Sequence, residues 1–484
     1  MRLNVVINAL GYLLIILGGA MLLPLLWALY YNGPDIKAFI ITSFITIITG
    51  LILLKLTPPT EGIRTREGFA IVSLGWLVAS LFGSIPYMLA GTFDNYADAF
   101  FETMSGFTTT GASVLTNIEV LPHGILFWRS LTHWLGGMGI IVLFIAVLSN
   151  MGYGANQMFK AESPGPVTEK IKPRIAETAK ILWLTYFILS VMEIILLWLS
   201  GMNLFDSMCH TFGTMATGGF STKNASIGHY QNPVTQWIII VFMFMAGANF
   251  SLYYFSLRGK SLKTFWRNEE FKLYTYISLG ATFLLTVVLI LSDGEKILNL
   301  EQVIRTSAFQ AISIITTTGY ATADFDKWPL IARISLFVLM FVGGCAGSTG
   351  GSVKVGRHLV LFKAAALELR RLIHPRAILS LKVNKKNTPD EILINILIFF
   401  FIYFVIFFIG AIIMAAMGLD LITALTSVAA TLGNVGPGLN KVGPTANYSF
   451  VPGFGKYFLS FLMMLGRLEL YTVLVLFLPS TWKN

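Results

Sequence analysis

Long apolar runs separated by short polar ones recur from one end of the chain to the other, as at 181–201 and 392–417. Runs of about 18 residues or more match a hydrocarbon core about 30 Å thick. The pattern predicts spans at 10–31, 36–56, 69–90, 125–148, 179–200, 234–257, 272–291, 330–342 onward, 390–417 and 454–478. Within each of the last four pairs it also predicts a short helix, at 95–107, 204–215, 301–315 and 419–430, too brief to cross a bilayer. After each helix comes a loop of small residues: Thr108–Ser113, Ala216–Ser221, Thr316–Ala321 and Gly433–Gly438. Irregular backbone cannot stand in lipid, so these loops must face protein or a wet cavity.

The glycines Gly111, Gly219, Gly319 and Gly436 stand roughly a hundred residues apart, a period that marks internal repetition. Asp98 and Asp206 each lie 13 residues before their glycine, which aligns Gly219 rather than Gly218 with Gly111. The expected fold is therefore an all-α polytopic membrane protein of about ten spans and four re-entrant loops. Its parts would be an N-terminal two-span appendage (1–67) and four pseudo-symmetric span–loop–span repeats around one pore (68–155, 156–265, 266–386, 387–484). The appendage lacks a glycine loop and ends in the breaker Thr57-Pro58-Pro59-Thr60.

Composition agrees, with 55% hydrophobic residues, 12% charged residues and a mean hydropathy of +0.73. A soluble domain carries about twice that charged fraction. The first apolar block is longer than the roughly 7–15 residues of a signal core and reads as a retained span. The net charge of +10 lies in alternate loops: Lys55, Arg64 and Arg66; Lys160–Arg174; Arg258–Lys272; Lys354–Lys386. The intervening loops carry acids such as Asp94, Asp98, Glu102, Glu119, Asp206, Glu295 and Asp420. This alternation is a topology signal that places the basic loops and both termini in the cytoplasm. It is no contiguous nucleic-acid face, although the basic loops suit anionic lipid. Cys209 and Cys345 are the only cysteines, too few for a disulfide framework.

A cation stripped of its water needs replacement oxygens, and four glycine-permitted strands around an axis supply rings of carbonyls. The candidate ion ligands are Thr109, Thr110 and Gly111; Thr217, Gly218 and Gly219; Thr317, Thr318 and Gly319; Asn434, Val435 and Gly436. Hydroxyls of Thr110, Thr217 and Thr318 would add oxygen at the inner end. The short helices would aim their negative C-terminal poles at the same cavity. Pro437, which has no N–H, makes the fourth loop chemically unlike the rest.

With these loops, the stretch Gly343–Ser352 and Gly466-Arg467-Leu468-Glu469, the whole chain resembles the Trk/Ktr/HKT superfamily of potassium translocators, and within it the bacterial TrkH branch. The resemblance implies K⁺ (with Rb⁺) uptake across the bacterial inner membrane, glycine in all four loops favouring K⁺ over Na⁺. It also implies a homodimer and a cytosolic TrkA-type ring that binds NAD or ATP. Gly344, Gly347, Ser348, Thr349, Gly350 and Gly351 then read as an intramembrane gate, and Arg467, deep in the last span, as a charge opposing cation passage. A bland reading gives the glycine stretch to close helix packing and pairs Arg467 with Glu469. Arg129 and His133 read as bundle packing before hydrogen bonding within the bundle, Cys209-His210 as buried structure rather than a metal site, and Glu193 as a functional candidate, an intramembrane carboxylate without an evident partner. The competing function is a secondary transporter coupling K⁺ or Na⁺ to H⁺ or Na⁺. No Ser/His/Asp grouping or His-Glu-x-x-His motif suggests an enzyme, and no cofactor beyond the transported K⁺ is implied.

Overall fold

The computed structural model describes residues 1–57, 62–137, 175–293, 299–377 and 379–482. The prolines of the 57–60 breaker, the end of the 125–148 span, the basic loop 160–174 and Glu295 lie outside them.

The N-terminal hairpin consists of α1 (Leu3–Ala20), α2 (Leu22–Tyr30) and α3 (Ile36–Leu56). Small residues let α1 and α3 approach closely: a Cβ on Gly50 would lie 2.7 Å from the Gly11 carbonyl, and Ser43 donates to the Gly18 carbonyl at 2.7 Å. Buried Asp35 ties this hairpin to the body by accepting the Ile125 N–H at 3.0 Å.

Four helices open the four sequence units: α4 (Thr65–Gly83), which runs on into α5 (Ile85–Leu89), α8 (Ile175–Leu199), α13 (Glu269–Asp293) and α17 (Asp390–Ala416). Their outward faces are apolar. Only 22% of the apolar window of α13 is buried, and its exposed positions include Tyr276, Leu279 and Phe283, which is a lipid-facing pattern.

The short helices are α6 (Tyr96–Phe107), α9 (Leu204–Met215), α14 (Leu300–Ile315) and α18 (Leu421–Leu432), the last shifted two residues from its expected bounds. Each starts on an Asn or Asp that accepts a first-turn N–H: Asn95 from Asp98, Asn203 from Asp206, Asn299 from Glu301 and Asp420 from Thr423. The Thr423 hydroxyl and N–H together hold the Asp420 carboxyl below the usual range.

The following helices depart from expectation. After α7 (His123–Gly137), the second unit has α10 (Pro233–Ala246) and α11 (Phe250–Gly259), bent by 92° at Gly247–Asn249. A five-residue helix, α12 (Lys263–Arg267), leads on to α13. The fourth unit has α19 (Gly453–Arg467) and α20 (Glu469–Leu474), with a 113° bend at Leu468, where Glu469 has φ +54°. The hydropathy pattern alone predicts both as continuous spans. In the third unit α15 (Leu330–Leu339) gives way to an irregular loop and then to α16 (Val355–Ile373). Among the described residues six helices are long and apolar enough to cross a membrane, and the two bent pairs would make eight. A hairpin of β1 (Lys382–Val383) and β2 (Lys386–Asn387) pairs Lys382 with Asn387, and Asn384 and Lys385 carry the positive φ of a type I′ turn. A short last helix, α21 (Pro479–Trp482), follows α20.

Candidate functional site

The four glycine loops share one backbone conformation. Each short helix ends in a residue of αR or near-αR geometry, and the next residue turns left-handed: Thr109, Thr217, Thr317 and Asn434, with φ of 53°, 55°, 60° and 52°. Two residues later comes the glycine, with φ of 79°, 80°, 78° and 98° at Gly111, Gly219, Gly319 and Gly436. Left-handed threonine is strained by roughly 1–2 kcal/mol, and its recurrence at one position in three loops marks a site rather than an accident. The residue between donates its N–H back into the helix: Thr110 to Ser105 at 2.9 Å, and Gly218, Thr318 and Val435 to Gly213, Ser313 and Ala430 at 2.8 Å. With the amides committed to the helix end, the carbonyls of these residues are left over. Among the described residues none of the carbonyl oxygens of Thr109, Thr110, Thr217, Gly218, Thr317, Thr318, Asn434 or Val435 accepts a hydrogen bond.

The loops close into a cycle. A Cβ on Gly111 would overlap the Gly218 carbonyl oxygen, one on Gly219 that of Thr318, one on Gly319 that of Val435, and one on Gly436 that of Thr110. Each glycine thus lies against the carbonyl that precedes the next loop's glycine, and the fourth returns to the first. Pro437 fits this cycle, its Cδ lying 2.8 Å from where a Gly319 Cβ would be. Gly218 itself has ordinary φ; it is small because His133 crosses there, its Cγ 2.5 Å from where a Cβ would stand.

The hydroxyls expected at the inner end are engaged locally. Thr110 bonds Thr108 at 2.8 Å and accepts from the Asn434 amide at 3.0 Å, Thr318 bonds Thr316 at 2.8 Å, and Thr217 donates to the Ala216 carbonyl at 2.6 Å. The Thr109 and Thr317 hydroxyls instead point to partners below the cycle, Arg467 and Gly351.

A polar frame holds the loops from outside. Glu102, expected as a loop acid, is fully buried; its carboxylate accepts from Arg129 at 2.6 Å, from Ser113 and from the Val114 N–H. Arg129 reaches the second loop, donating to the Ser221 carbonyl at 2.9 Å with its guanidinium 3.8 Å above the Phe220 ring. His133 Nδ1 donates to the Gly106 carbonyl and its Nε2 accepts the Phe220 N–H, which fixes a neutral tautomer. Tyr320 donates to the His210 and Phe220 carbonyls, joining the third loop to the second. Tyr448 joins the fourth to the first, its N–H on the Ser113 carbonyl and its hydroxyl on that of Gly436. Of the two readings the sequence offers for Arg129 and His133, packing and hydrogen bonding within the bundle, the structure shows the hydrogen bonds. An arginine inside an apolar span was the signal for them.

Beneath the cycle lies the irregular stretch of the third unit. Thr349 donates its hydroxyl to the Met215 carbonyl at 2.9 Å, the Gly351 N–H reaches the Thr317 hydroxyl at 2.6 Å, and Gly347 accepts the Phe250 N–H. Lys354 donates to the Gly350 carbonyl. Gly344 accepts the Val355 N–H, and Ser348 turns its N–H to the Cys345 carbonyl. Arg467 sits at the break between α19 and α20, not in mid-span. It donates to the Thr109 hydroxyl (3.1 Å), the Thr349 carbonyl (2.6 Å) and the carbonyls of Gly136 (2.7 Å) and Gly137 (2.6 Å). Glu469 pairs with Arg357 instead. One guanidinium thus spans the first glycine loop, the irregular stretch and the fourth unit.

Glu193, Cys209 and Cys345 are buried. Among the described residues no three His, Cys, Asp or Glu side chains gather as a metal site.

A family model described as "TrkH: Cation transport protein" matches residues 35–483. The "Trk system potassium uptake protein TrkH" of Salmonella typhimurium is 41% identical over 489 residues, covering 100% of both chains. The "Trk system potassium uptake protein TrkG" of Escherichia coli K12 is 35% identical over 99% of each chain. The crystal structure of the potassium transporter TrkH from Vibrio parahaemolyticus superimposes with a TM-score of 0.90 at 35% identity, covering 100% of both chains.

Proposed function

Because the chain belongs to the TrkH family of cation transport proteins, a multi-pass membrane family of potassium transporters, we propose that K⁺ crosses it through the cycle of four glycine loops. Peptide oxygens of Thr109–Gly111, Thr217–Gly219, Thr317–Gly319 and Asn434–Gly436 replace the water of the passing ion. The closed succession of glycine-to-carbonyl approaches supports this reading, since each loop's glycine meets the next loop's carbonyl while the N–H before it is bonded back into its own helix. The helix C-termini behind the loops add negative potential. The five segments 1–67, 68–155, 156–265, 266–386 and 387–484 are then the appendage and four units of one pore.

In the same reading the stretch 343–352 is the gate and Arg467 its electrostatic lock. The bonds from Gly351 and Arg467 to the threonines of the ring support this reading of a closed gate. The basic side, where α16 and the hairpin lie, faces the cytoplasm of an inner membrane, with both termini inside. It offers docking surface for a nucleotide-binding regulatory ring of the TrkA type, on a homodimer. The broken α10–α11 and α19–α20 helices also suit a coupled carrier, whose substrate sites use discontinuous helices. Current that follows the K⁺ gradient without an H⁺ or Na⁺ gradient supports the pore; fixed stoichiometry with either ion supports the carrier. The direct test replaces each of Gly111, Gly219, Gly319 and Gly436 by alanine and asks for growth of a potassium-uptake-deficient bacterium at low external K⁺. Loss of growth or of K⁺/Na⁺ discrimination in all four is expected, and normal behaviour in all four rejects the filter.

A further inference from the structure

Two consecutive carboxylates at the start of α13 divide their bonds between the irregular stretch and the β1–β2 hairpin. Glu270 Oε1 accepts the N–H of Ala346 at 2.7 Å and that of Gly356 at 2.9 Å. Those two amides flank the segment 347–355, so one oxygen gathers both of its ends. The approach depends on Gly356, since a Cβ there would lie 2.8 Å from the same oxygen. Gly356 is also in the first turn of α16, where a carboxylate complements the helix dipole.

Glu269 turns the other way. Its Oε2 accepts from Lys363 of α16 at 2.6 Å and from the Asn384 N–H at the hairpin turn at 2.9 Å. Asn384 returns a bond by accepting the Glu269 N–H, and Lys363 also donates to the Lys382 carbonyl. The stretch under the ring and the hairpin are therefore fastened to the same helical turn.

We propose that Glu270 is the latch of the gate, a positioning residue that holds the stretch shut by keeping its two ends together. The assignment rests on the gate reading given above. Withdrawal of residues 347–352 from the ring separates Ala346 from the start of α16, and a single oxygen cannot then serve both amides. Opening costs at least one charge-assisted hydrogen bond. A load on the hairpin reaches the latch through Glu269, its neighbour in the chain.

The test is Rb⁺ flux into vesicles holding the purified full-length chain and no other protein, for wild type, Glu270→Ala, Glu270→Gln and Arg467→Ala. Glu270→Ala should raise flux about ten-fold, the factor expected for one charge-assisted bond. Glu270→Gln, which keeps a weaker acceptor, should fall between alanine and wild type. A merely structural role lowers flux or leaves it unchanged. If Arg467→Ala raises flux while neither Glu270 variant does, the latch is wrong and the gate stands; if none of the three raises it, the gate reading falls as well. Should the alanine variant fail to fold, the glutamine variant decides alone, a rise supporting the latch and a flat result overturning it.

Discussion

The glycine loops and the helix breaks just beneath them are built on opposite plans. Above, four loops with three different sequences (Thr-Thr-Gly twice, Thr-Gly-Gly and Asn-Val-Gly) adopt one backbone, with left-handed φ at equivalent places. Below, among the described residues, the units differ from one another. The second unit bends by 92° at Gly247–Asn249, the third opens into a long irregular stretch, the fourth bends by 113° beside Arg467, and the first presents the Gly136 and Gly137 carbonyls to that arginine. A ring of ligands around an ion needs equivalence, and side chains are free to vary where only the backbone is read. A gate needs one element able to move against three that hold it, and asymmetry supplies that. In the proposed reading, ion selection belongs to the ring and gating to the stretch beneath it.

The strongest way to break the comparison is at the ring. Gly319→Ala places a Cβ against the Val435 carbonyl at a φ of 78°, so K⁺ over Na⁺ discrimination should be abolished, and Gly111, Gly219 and Gly436 should respond alike. Flux ratios in K⁺ and Na⁺ check this, and one tolerant glycine would mean that the four strands are not equivalent. Next comes the frame. Arg129→Ala leaves Glu102 charged and buried, a loss of about 3–5 kcal/mol, read as a fall in the thermal midpoint of the purified protein. Below the ring, Arg467→Ala should raise cation flux several-fold at equal protein level, because its guanidinium bonds both the Thr109 hydroxyl of the ring and the Thr349 carbonyl of the stretch beneath it. Unchanged or lower flux removes its role as a lock.

Smaller effects belong to the short helices. Asn203→Ala should cost about 1 kcal/mol of stability through the lost N-cap, measurable by thermal unfolding. Asp420 caps as a carboxylate whose pKa is depressed in the folded state, so its contribution is full above the ordinary aspartate value of about 3.9 and fades as pH falls through its lower folded value. Asp420→Asn should flatten stability across that acid window, matching wild type at its acid end and lying slightly below wild type at neutral pH, where the carboxylate's contribution is full.

The spans, the short helices and the four glycines were legible in the sequence because span length, helix capping and backbone permissiveness each leave a local mark. So was the third unit's interruption, a run of Gly, Ser and Thr that cannot hold a helix. The bends at Gly247–Asn249 and Leu468 were not legible. Met-Ala-Gly-Ala-Asn and Leu-Gly-Arg-Leu-Glu are compatible with straight helix, and what breaks them is contact. Cys345 donates its N–H to the Gly247 carbonyl, and Arg467 is drawn to four oxygens from other parts of the chain. The frame was hidden for the same reason. Glu102 and Arg129 stand 27 residues apart, and only the folded chain reveals that they neutralise each other. Glu270 gave no signal, being one acid in a charged helix start.

The central claim is that backbone oxygens from the four loops surround one ion. It is tested most directly by locating Rb⁺ from its anomalous scattering in crystals of the full-length protein. The account predicts Rb⁺ on the axis enclosed by Gly111, Gly219, Gly319 and Gly436, with oxygens from all four loops around it. Rb⁺ bound elsewhere in the membrane region, or touching fewer than four loops, would contradict it.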